Sequence, residues 1–319
     1  MKKNKILVTG GAGNIGSALV EKLIENSANS VVIVDNLSTG LLSKLPSEEY
    51  TNWKFIRANV NQMEDISSVM LSYKFDYVFH FAAVVGVSRT QENPMDVLND
   101  IEGFKNILNL SKNSSVKHVY FSSSSEVYGE PVELPQNEHS TPLNSRVPYA
   151  VVKNVGECFF RSYWQAYRLP YTIFRFFNTY GPNQSTDFVV AKFLASALKN
   201  KDIIVYGDGS QTRTFTYVDD TVNVCSRIFE NKLLVNDVIN IGNDEVMSVK
   251  TLAELTIKLT NSTSKIVYAP PLKEGDMTRR QPDNTKMREI LDKGLIGIEE
   301  GIKLMMRDDR FLKSIQDNL

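Results

Sequence analysis

The chain has 319 residues, 36 Lys+Arg against 37 Asp+Glu, a formal net charge of -1 and 42% apolar residues. This balance argues against a dedicated nucleic-acid binder, which needs an excess of cations to neutralise phosphates. No run of about 18 uncharged apolar residues occurs, so no membrane span is expected. The basic opening leads into too short an apolar run for a signal peptide. Cys158 and Cys225 stand far apart, in neither a metal motif nor a disulfide framework, which fits a reducing cytoplasm.

In chain order, residues 5–9 (KILVT), 31–34 (VVIV), 53–57 (WKFIR), 77–80 (YVFH) and 118–122 (HVYFS) read as strands. They are uniformly apolar rather than alternating, as expected of parallel strands covered on both faces. Residues 15–27, 63–71 and 94–111 read as the helices between them. In the last, Val97, Ile101, Phe104, Ile107 and Leu108 fall close to one helical face. This alternation predicts a doubly wound α/β sheet with ligands at the carboxyl ends of its strands. Beyond about residue 180 the pattern is less regular, punctuated by Gly181-Pro182-Asn183, Gly207-Asp208-Gly209-Ser210 and Pro270-Pro271. Residues 188–199, 218–230, 248–259 and 283–291 read as helices there. No repeat, low-complexity tract or long linker separates the halves, so the second lobe is expected to wrap closely around the first.

The segment Thr9-Gly10-Gly11-Ala12-Gly13-Asn14-Ile15-Gly16 follows the first strand and opens the first helix. Glycines at 10, 13 and 16 serve a tight turn, close approach of backbone to a pyrophosphate, and close helix–strand packing. The helix start then offers free N–H groups and its positive dipole end. Asp35, nineteen residues beyond Gly16, ends the second strand. A carboxylate there accepts ribose hydroxyls and repels a 2′-phosphate, and Asn36-Leu37-Ser38 supplies no arginine. The set predicts NAD rather than NADP, on a Rossmann-type doubly wound parallel sheet with a smaller, intertwined C-terminal substrate lobe. The cofactor domain is expected at 1–179 plus about 215–245, and the substrate lobe at 180–214 and 246–319.

Tyr149-Ala150-Val151-Val152-Lys153 places Tyr and Lys on one helical face. An ammonium beside a phenol stabilises phenolate and lowers its pKa toward that of a useful general base. The pair falls about 25 residues after the strand ending in Phe121-Ser122-Ser123-Ser124-Ser125-Glu126-Val127-Tyr128-Gly129, where a hydroxyl could share the substrate proton.

Together these motifs resemble the extended short-chain dehydrogenase/reductases that modify nucleotide sugars, the NAD-dependent epimerase/dehydratase/decarboxylase group. The resemblance spans essentially the whole chain. It includes Val34-Asp35-Asn36-Leu37-Ser38, His80-Phe81-Ala82-Ala83, Arg175-Phe176-Phe177-Asn178-Thr179-Tyr180-Gly181-Pro182 and Tyr206-Gly207-Asp208-Gly209-Ser210-Gln211-Thr212-Arg213. It implies that Ser124, Tyr149 and Lys153 form the oxidising triad, with Lys153 also on the nicotinamide ribose. It implies cofactor contacts at Gly10, Gly13, Asn14, Ile15, Gly16, Asp35, Asn36, Asn59, Val60 and Ala82. Asn178 would contact the sugar diphosphate and Arg213 the pyrophosphate, consistent with a guanidinium's bidentate fit. Arg280 would reach the diphosphate or sugar from the second lobe. Arg89, in the pocket segment 84–89, is a substrate contact or a surface charge. The relatives' usual pairing through the Tyr-Lys helix and the large helix before it implies a homodimer. Phe159, Phe160, Tyr163 and Trp164 suit such burial, or burial in the chain's own core.

Three positions depart from the family pattern. Asn59 replaces an aspartate, Asp100 replaces an asparagine, and Phe104 replaces a threonine. The shared chemistry is oxidation of a sugar hydroxyl, expected at C4, by Tyr149 and NAD. The 4-keto sugar then loses CO2, loses water across C5/C6, or takes hydride back on the opposite face. Ser125-Glu126 is the informative pair, because a carboxylate beside C5 suits a 4,6-dehydratase. The Ser-Glu form resembles both Ser-Glu type dehydratases and UDP-glucuronate decarboxylases. The segment ending at Asp283 resembles the decarboxylases, and a cation at Arg280 could orient a carboxylate or reprotonate C5. The resemblance thus implies lyase chemistry on a UDP- or GDP-linked sugar, with a 4-epimerase as the alternative and a non-catalytic NAD-binding protein as a more distant one.

Overall fold

The computed structural model describes residues 3–271 and 277–316, apart from the side chains of Val87 and Ser88. Met1 and Lys2 of the basic opening, and those two side chains of the pocket segment, lie outside the described residues. The first strands in chain order are β1 (Asn4–Thr9), β2 (Asn29–Asp35), β3 (Trp53–Arg57), β4 (Tyr77–His80), β5 (His118–Ser124) and β6 (Tyr171–Phe176). The strand Asp237–Ile241 adds to β6, giving seven parallel strands in the order Asp237–Ile241, β6, β5, β4, β1, β2, β3. The strand order reverses at the paired strands β1 and β4, so the connections leaving them diverge to opposite sides and leave a crevice at their carboxyl ends.

Both faces of the sheet are covered, which accounts for the unbroken apolar runs. Helices α1 (Asn14–Ile24), α2 (Met63–Tyr73), α3 (Val87–Glu92), α4 (Pro94–Lys112) and α5 (Pro148–Tyr167) occupy the first half. Leu7, Val32, Val34, Val78, Val119 and Phe121 pack against Ile66 and Val69 of α2, Phe104 and Ile107 of α4, and Val152 and Phe160 of α5. The alternate residues Ile6, Val8, Ile33, Phe79 and Tyr120 face Leu19, Val20 and Leu23 of α1. The same layer takes Val222, Cys225 and Ile228 of the helix Val218–Asn231, and Met287 and Leu291 of the helix Thr285–Leu291. A separate cluster holds the rest together: Phe193 and Leu194, Ile203 and Val205, Leu252, Ile302, Met305 and Phe311. Phe160 lies in the chain's own core, while Phe159, Tyr163 and Trp164 are only partly buried against it. Among the described residues, no helix is long and apolar enough to cross a membrane.

Two imidazoles are sealed into the sheet. The Thr9 hydroxyl oxygen accepts from the Phe81 and Ala82 N–H groups, which leaves its proton for His80 Nδ1 at 2.9 Å. The Thr172 hydroxyl donates to the Leu234 carbonyl, so His118 Nε2–H donates to it at 2.8 Å. Burial pulls the His80 pKa down to about 3, with Lys153 adding to the fall, and pulls His118 down to about 4. The unfolded chain takes up these protons near pH 6.5. The stability tied to the neutral rings is therefore complete above that pH and is lost as pH falls below it, at about 2 kcal/mol per ring by pH 5. The Tm should drop between pH 7.5 and 5.0, and His118→Asn should cut that slope by about half. An unchanged slope in a calorimetric pH series would refute this account.

Candidate active site

The glycine turn leaves no room for side chains. Gly10 has φ +71°, and a Cβ on it would lie 2.6 Å from the Ala82 nitrogen. A Cβ on Gly16 would lie 2.2 Å from the Gly10 carbonyl oxygen. The start of α1 carries no side-chain cap, so its first N–H groups stay open at the crevice. Gly10, Gly13, Asn14, Ile15 and Gly16 line a cavity of about 820 Å3 there. Asn14 Oδ1 is buried in this wall with no hydrogen-bond partner. An uncapped helix start, a cradle that a Cβ would fill and an unsatisfied buried acceptor fit a dinucleotide.

Asp35 ties the turn to the next loop, since Ala12 N–H donates to its Oδ2 at 3.1 Å and Leu37 N–H to its Oδ1 at 2.8 Å. Asn36, Asn59, Val60 and Ala82 line the same cavity. Asn59 Oδ1 already accepts from Asn61 N–H at 3.0 Å, leaving one lone pair and the amide donors for a base. Lys44 lines the same cavity, and its charge couples to Asp35. The motif reading passed it over because it lies nine residues beyond the acid, outside any spacing rule.

At the exit of β5, Ser124, Ser125 and Glu126 meet Tyr149 and Lys153 of α5 in the cavity wall. The Ser124 hydroxyl oxygen accepts from Glu126 N–H at 3.2 Å, starting the short 3-10 turn Ser125–Tyr128. Lys153 is 2% exposed; its Nζ donates to the Ser122 carbonyl at 2.7 Å and stands 5.8 Å from the Tyr149 ring centre. Burial pulls the Lys153 pKa down to about 8, with Asp100 opposing the fall. Burial and the Glu126 carboxylate push the Tyr149 phenol up, while the Ser124 hydrogen bond and the Arg280 charge oppose that rise. The expected lowering of the phenol by its lysine neighbour is thus reversed here. Desolvation dominates, and the ammonium is aimed at the backbone of β5.

Arg280 comes from the far end of the chain. It is 7% exposed, with Nη2 at 3.4 Å from Glu126 Oε1. Asn178 lines the cavity with φ +22°, its Nδ2 donating to the Thr214 carbonyl at 3.0 Å. Arg89 stands at the rim, donating to the Val85 carbonyl at 3.0 Å and to Asp187 at 3.1 Å. Arg213 is buried in the short strand Thr212–Thr214 and donates to the Thr212 carbonyl at 2.8 Å; it is not among the described residues lining the cavity. The two α4 departures also gain a physical account. Asp100 Oδ2 accepts from Val84 N–H at 2.8 Å, fastening the loop that leaves β4. Phe104 packs edge-on to His80 and Phe121.

Residues 6–242 match the NAD dependent epimerase/dehydratase family. The chain belongs to this family. A Bacillus cytotoxicus relative named UDP-N-acetyl-α-D-glucosaminuronate decarboxylase is 36% identical over 301 residues, covering 90% of this chain and 92% of its own. The structure of a Thermotoga maritima UDP-glucose 4-epimerase with UDP-glucose superposes with a TM-score of 0.89 at 34% identity, covering 98% and 99% of the two chains. A Bacillus cereus UDP-glucuronic acid 4-epimerase, solved with UDP-glucuronic acid and NAD, gives 0.86 at 28% identity over 99% and 100%. This epimerase/dehydratase family member is an NAD-dependent nucleotide-sugar enzyme.

NAD, when bound, would supply a hydride acceptor for the sugar. Tyr149 lines the cavity with Ser124 hydrogen-bonded to its phenol. Tyr149→Phe removes one hydroxyl and leaves the nucleotide cradle intact. It should cut substrate-driven formation of bound NADH by about 10²- to 10⁴-fold with NAD affinity unchanged. Single-turnover absorbance and calorimetric NAD titration check both halves of that statement.

Proposed function

We propose that this enzyme decarboxylates a UDP-linked uronic acid through a 4-keto intermediate. The observation that carries the reading is the Glu126–Arg280 pair, largely buried in the same cavity wall as Tyr149 and Ser124. Oxidation at C4 turns a C6 carboxylate into a β-keto acid. Arg280 is placed to orient that carboxylate, because a guanidinium matches two carboxylate oxygens. Loss of CO2 leaves the bonding electrons as an enolate on O4, beside Tyr149 and Ser124. A proton drawn from solvent is delivered to C5 from the Glu126–Arg280 side in place of the lost carboxylate, and the ketone takes back the hydride removed in the first step as Tyr149 returns the hydroxyl proton.

A 4,6-dehydratase uses the same carboxylate differently: Glu126 takes the C5 proton and the C6 hydroxyl leaves as water. What favours decarboxylation is the buried cation beside Glu126, together with the decarboxylase name of the Bacillus cytotoxicus relative. The likeness to 4-epimerases supports the alternative in which C6 is untouched. We also infer a homodimer, supported by Val151 and Tyr167 on α5 and Met95 and Leu98 on α4, all exposed. Two free cysteines support a cytoplasmic setting.

The test is product mass from UDP- and GDP-linked uronic acids and hexoses: loss of CO2, loss of water, or no change. Glu126→Gln should lower CO2 release by about 10²-fold, and Arg280→Gln should raise KM for the uronate as well. Wild-type enzyme that returns every uronate with its carboxylate intact would remove the decarboxylase reading.

A further inference from the structure

Behind the site lies a buried polar chain that the catalytic reading does not use. Glu157 is on α5, one turn beyond Lys153, and is 1% exposed. Arg175 on β6 is equally buried. Its Nε donates to Glu157 Oε1 at 2.8 Å and its Nη2 to Oε2 at 2.7 Å. The Ser123 hydroxyl, next to Ser124 on β5, donates to Glu157 Oε1 at 2.6 Å. Arg175 Nη1 donates to the Tyr128 hydroxyl at 2.8 Å and to the Glu138 carbonyl at 3.1 Å. The Tyr128 hydroxyl in turn donates to Asn240 Oδ1 at 2.7 Å. Asn240 Nδ2 donates to the Gln136 carbonyl at 2.8 Å, and Gln136 N–H donates to the Gln281 carbonyl at 2.8 Å. Asp283 N–H donates to the same Gln136 carbonyl at 2.8 Å.

Each end of this chain touches a different part of the site. Glu157 grips the helix of Tyr149 and Lys153. Tyr128 belongs to the turn that carries Glu126. Gln281 adjoins Arg280. A bidentate pair in a dry interior is rigid, and breaking it by removing one partner strands a charge. The Arg175 guanidinium outweighs the effect of burial and holds the Glu157 carboxyl below its usual range. The pair is therefore a fixed ionic strut, with neutral hydrogen bonds leading from it.

We propose that the Glu157–Arg175 pair, acting through Tyr128, Asn240 and Gln136, positions Glu126 and Arg280 opposite Tyr149. These are positioning residues, since none of them lines the cavity. The strut sets the C5/C6 side of the sugar against the C4 side, so its loss should separate the two halves of the reaction. The inference rests on the lyase reading above for what Glu126 and Arg280 do.

Tyr128→Phe and Asn240→Ala each remove a neutral link and leave the ion pair in place. Pre-steady-state absorbance of bound NADH reports C4 oxidation, and product analysis reports completion. Both variants should oxidise C4 within about 2-fold of the wild-type rate but complete the reaction about 10-fold more slowly. Released 4-keto sugar should rise accordingly. Tyr163→Phe, which deletes a hydroxyl bonded to Asn109 outside the network, serves as the packing control and should match wild type. Completion at the wild-type rate in both variants, or equal slowing of both halves, would overturn the proposal. Wild-type enzyme decides the lyase reading in the same assay through CO2, while the ratio of oxidation to completion tests the strut whichever product forms.

Discussion

Every strand of the main sheet runs parallel with both faces covered, and the rest of the molecule follows from that constraint. Parallel strands all leave the sheet at one edge, so the turns at that edge carry the chemistry. The exits of β1, β4, β5 and β6 supply Gly10, Ala82, Ser124 and Asn178 to one cavity. Covering helices must then start or pass close to those exits. At β1 the approach is so tight that Gly10 and Gly16 tolerate no side chain. At β5 the neighbouring helix, α5, runs with Gly156 against Phe121, where a Cβ would lie 2.5 Å from the ring. That contact brings Lys153, three residues earlier, into reach of Ser122.

The near-zero net charge takes on a different meaning once the site is in view. A protein that handles two diphosphate ligands needs no basic surface. The cavity wall already holds the uncapped start of α1 and, among the described residues, four cations, Lys44, Arg89, Lys153 and Arg280. The most deeply buried cation, Arg175, is kept out of the cavity altogether. Four hydrogen bonds tie its guanidinium to Glu157, Tyr128 and Glu138, so its charge stays within the protein.

Much of this was legible in the chain itself. Apolar runs unbroken by polar residues declare strands buried on two sides, and Leu7 and Val8 indeed face opposite helical layers. The glycine turn, Asp35 and the Tyr149–Lys153 spacing are local patterns with local causes. The strands Tyr171–Phe176 and Asp237–Ile241 escaped the pattern because each carries a polar residue turned inward, Arg175 and Asn240, to feed the buried network. Long-range partners were out of reach for the same reason. Glu126 and Arg280 are distant in sequence, and only the packing of the second lobe brings them to 3.4 Å. The pKa of Tyr149 was also beyond reach, because burial and the nearby Glu126 carboxylate, which a spacing rule does not register, push it up.

The C4 side and the C5/C6 side of the cavity are built on different terms. The C4 side is made by a strand end and a helix turn that every parallel sheet of this kind can offer. Its residues sit within one stretch, Ser124 to Lys153. The C5/C6 side is assembled across the whole chain: Glu126 from the β5 exit and Arg280 from beyond residue 277, fastened through Gln136 and Gln281. On the lyase reading proposed above, oxidation falls to residues of the β5 exit and α5, and the fate of the ketone to the Glu126–Arg280 pair.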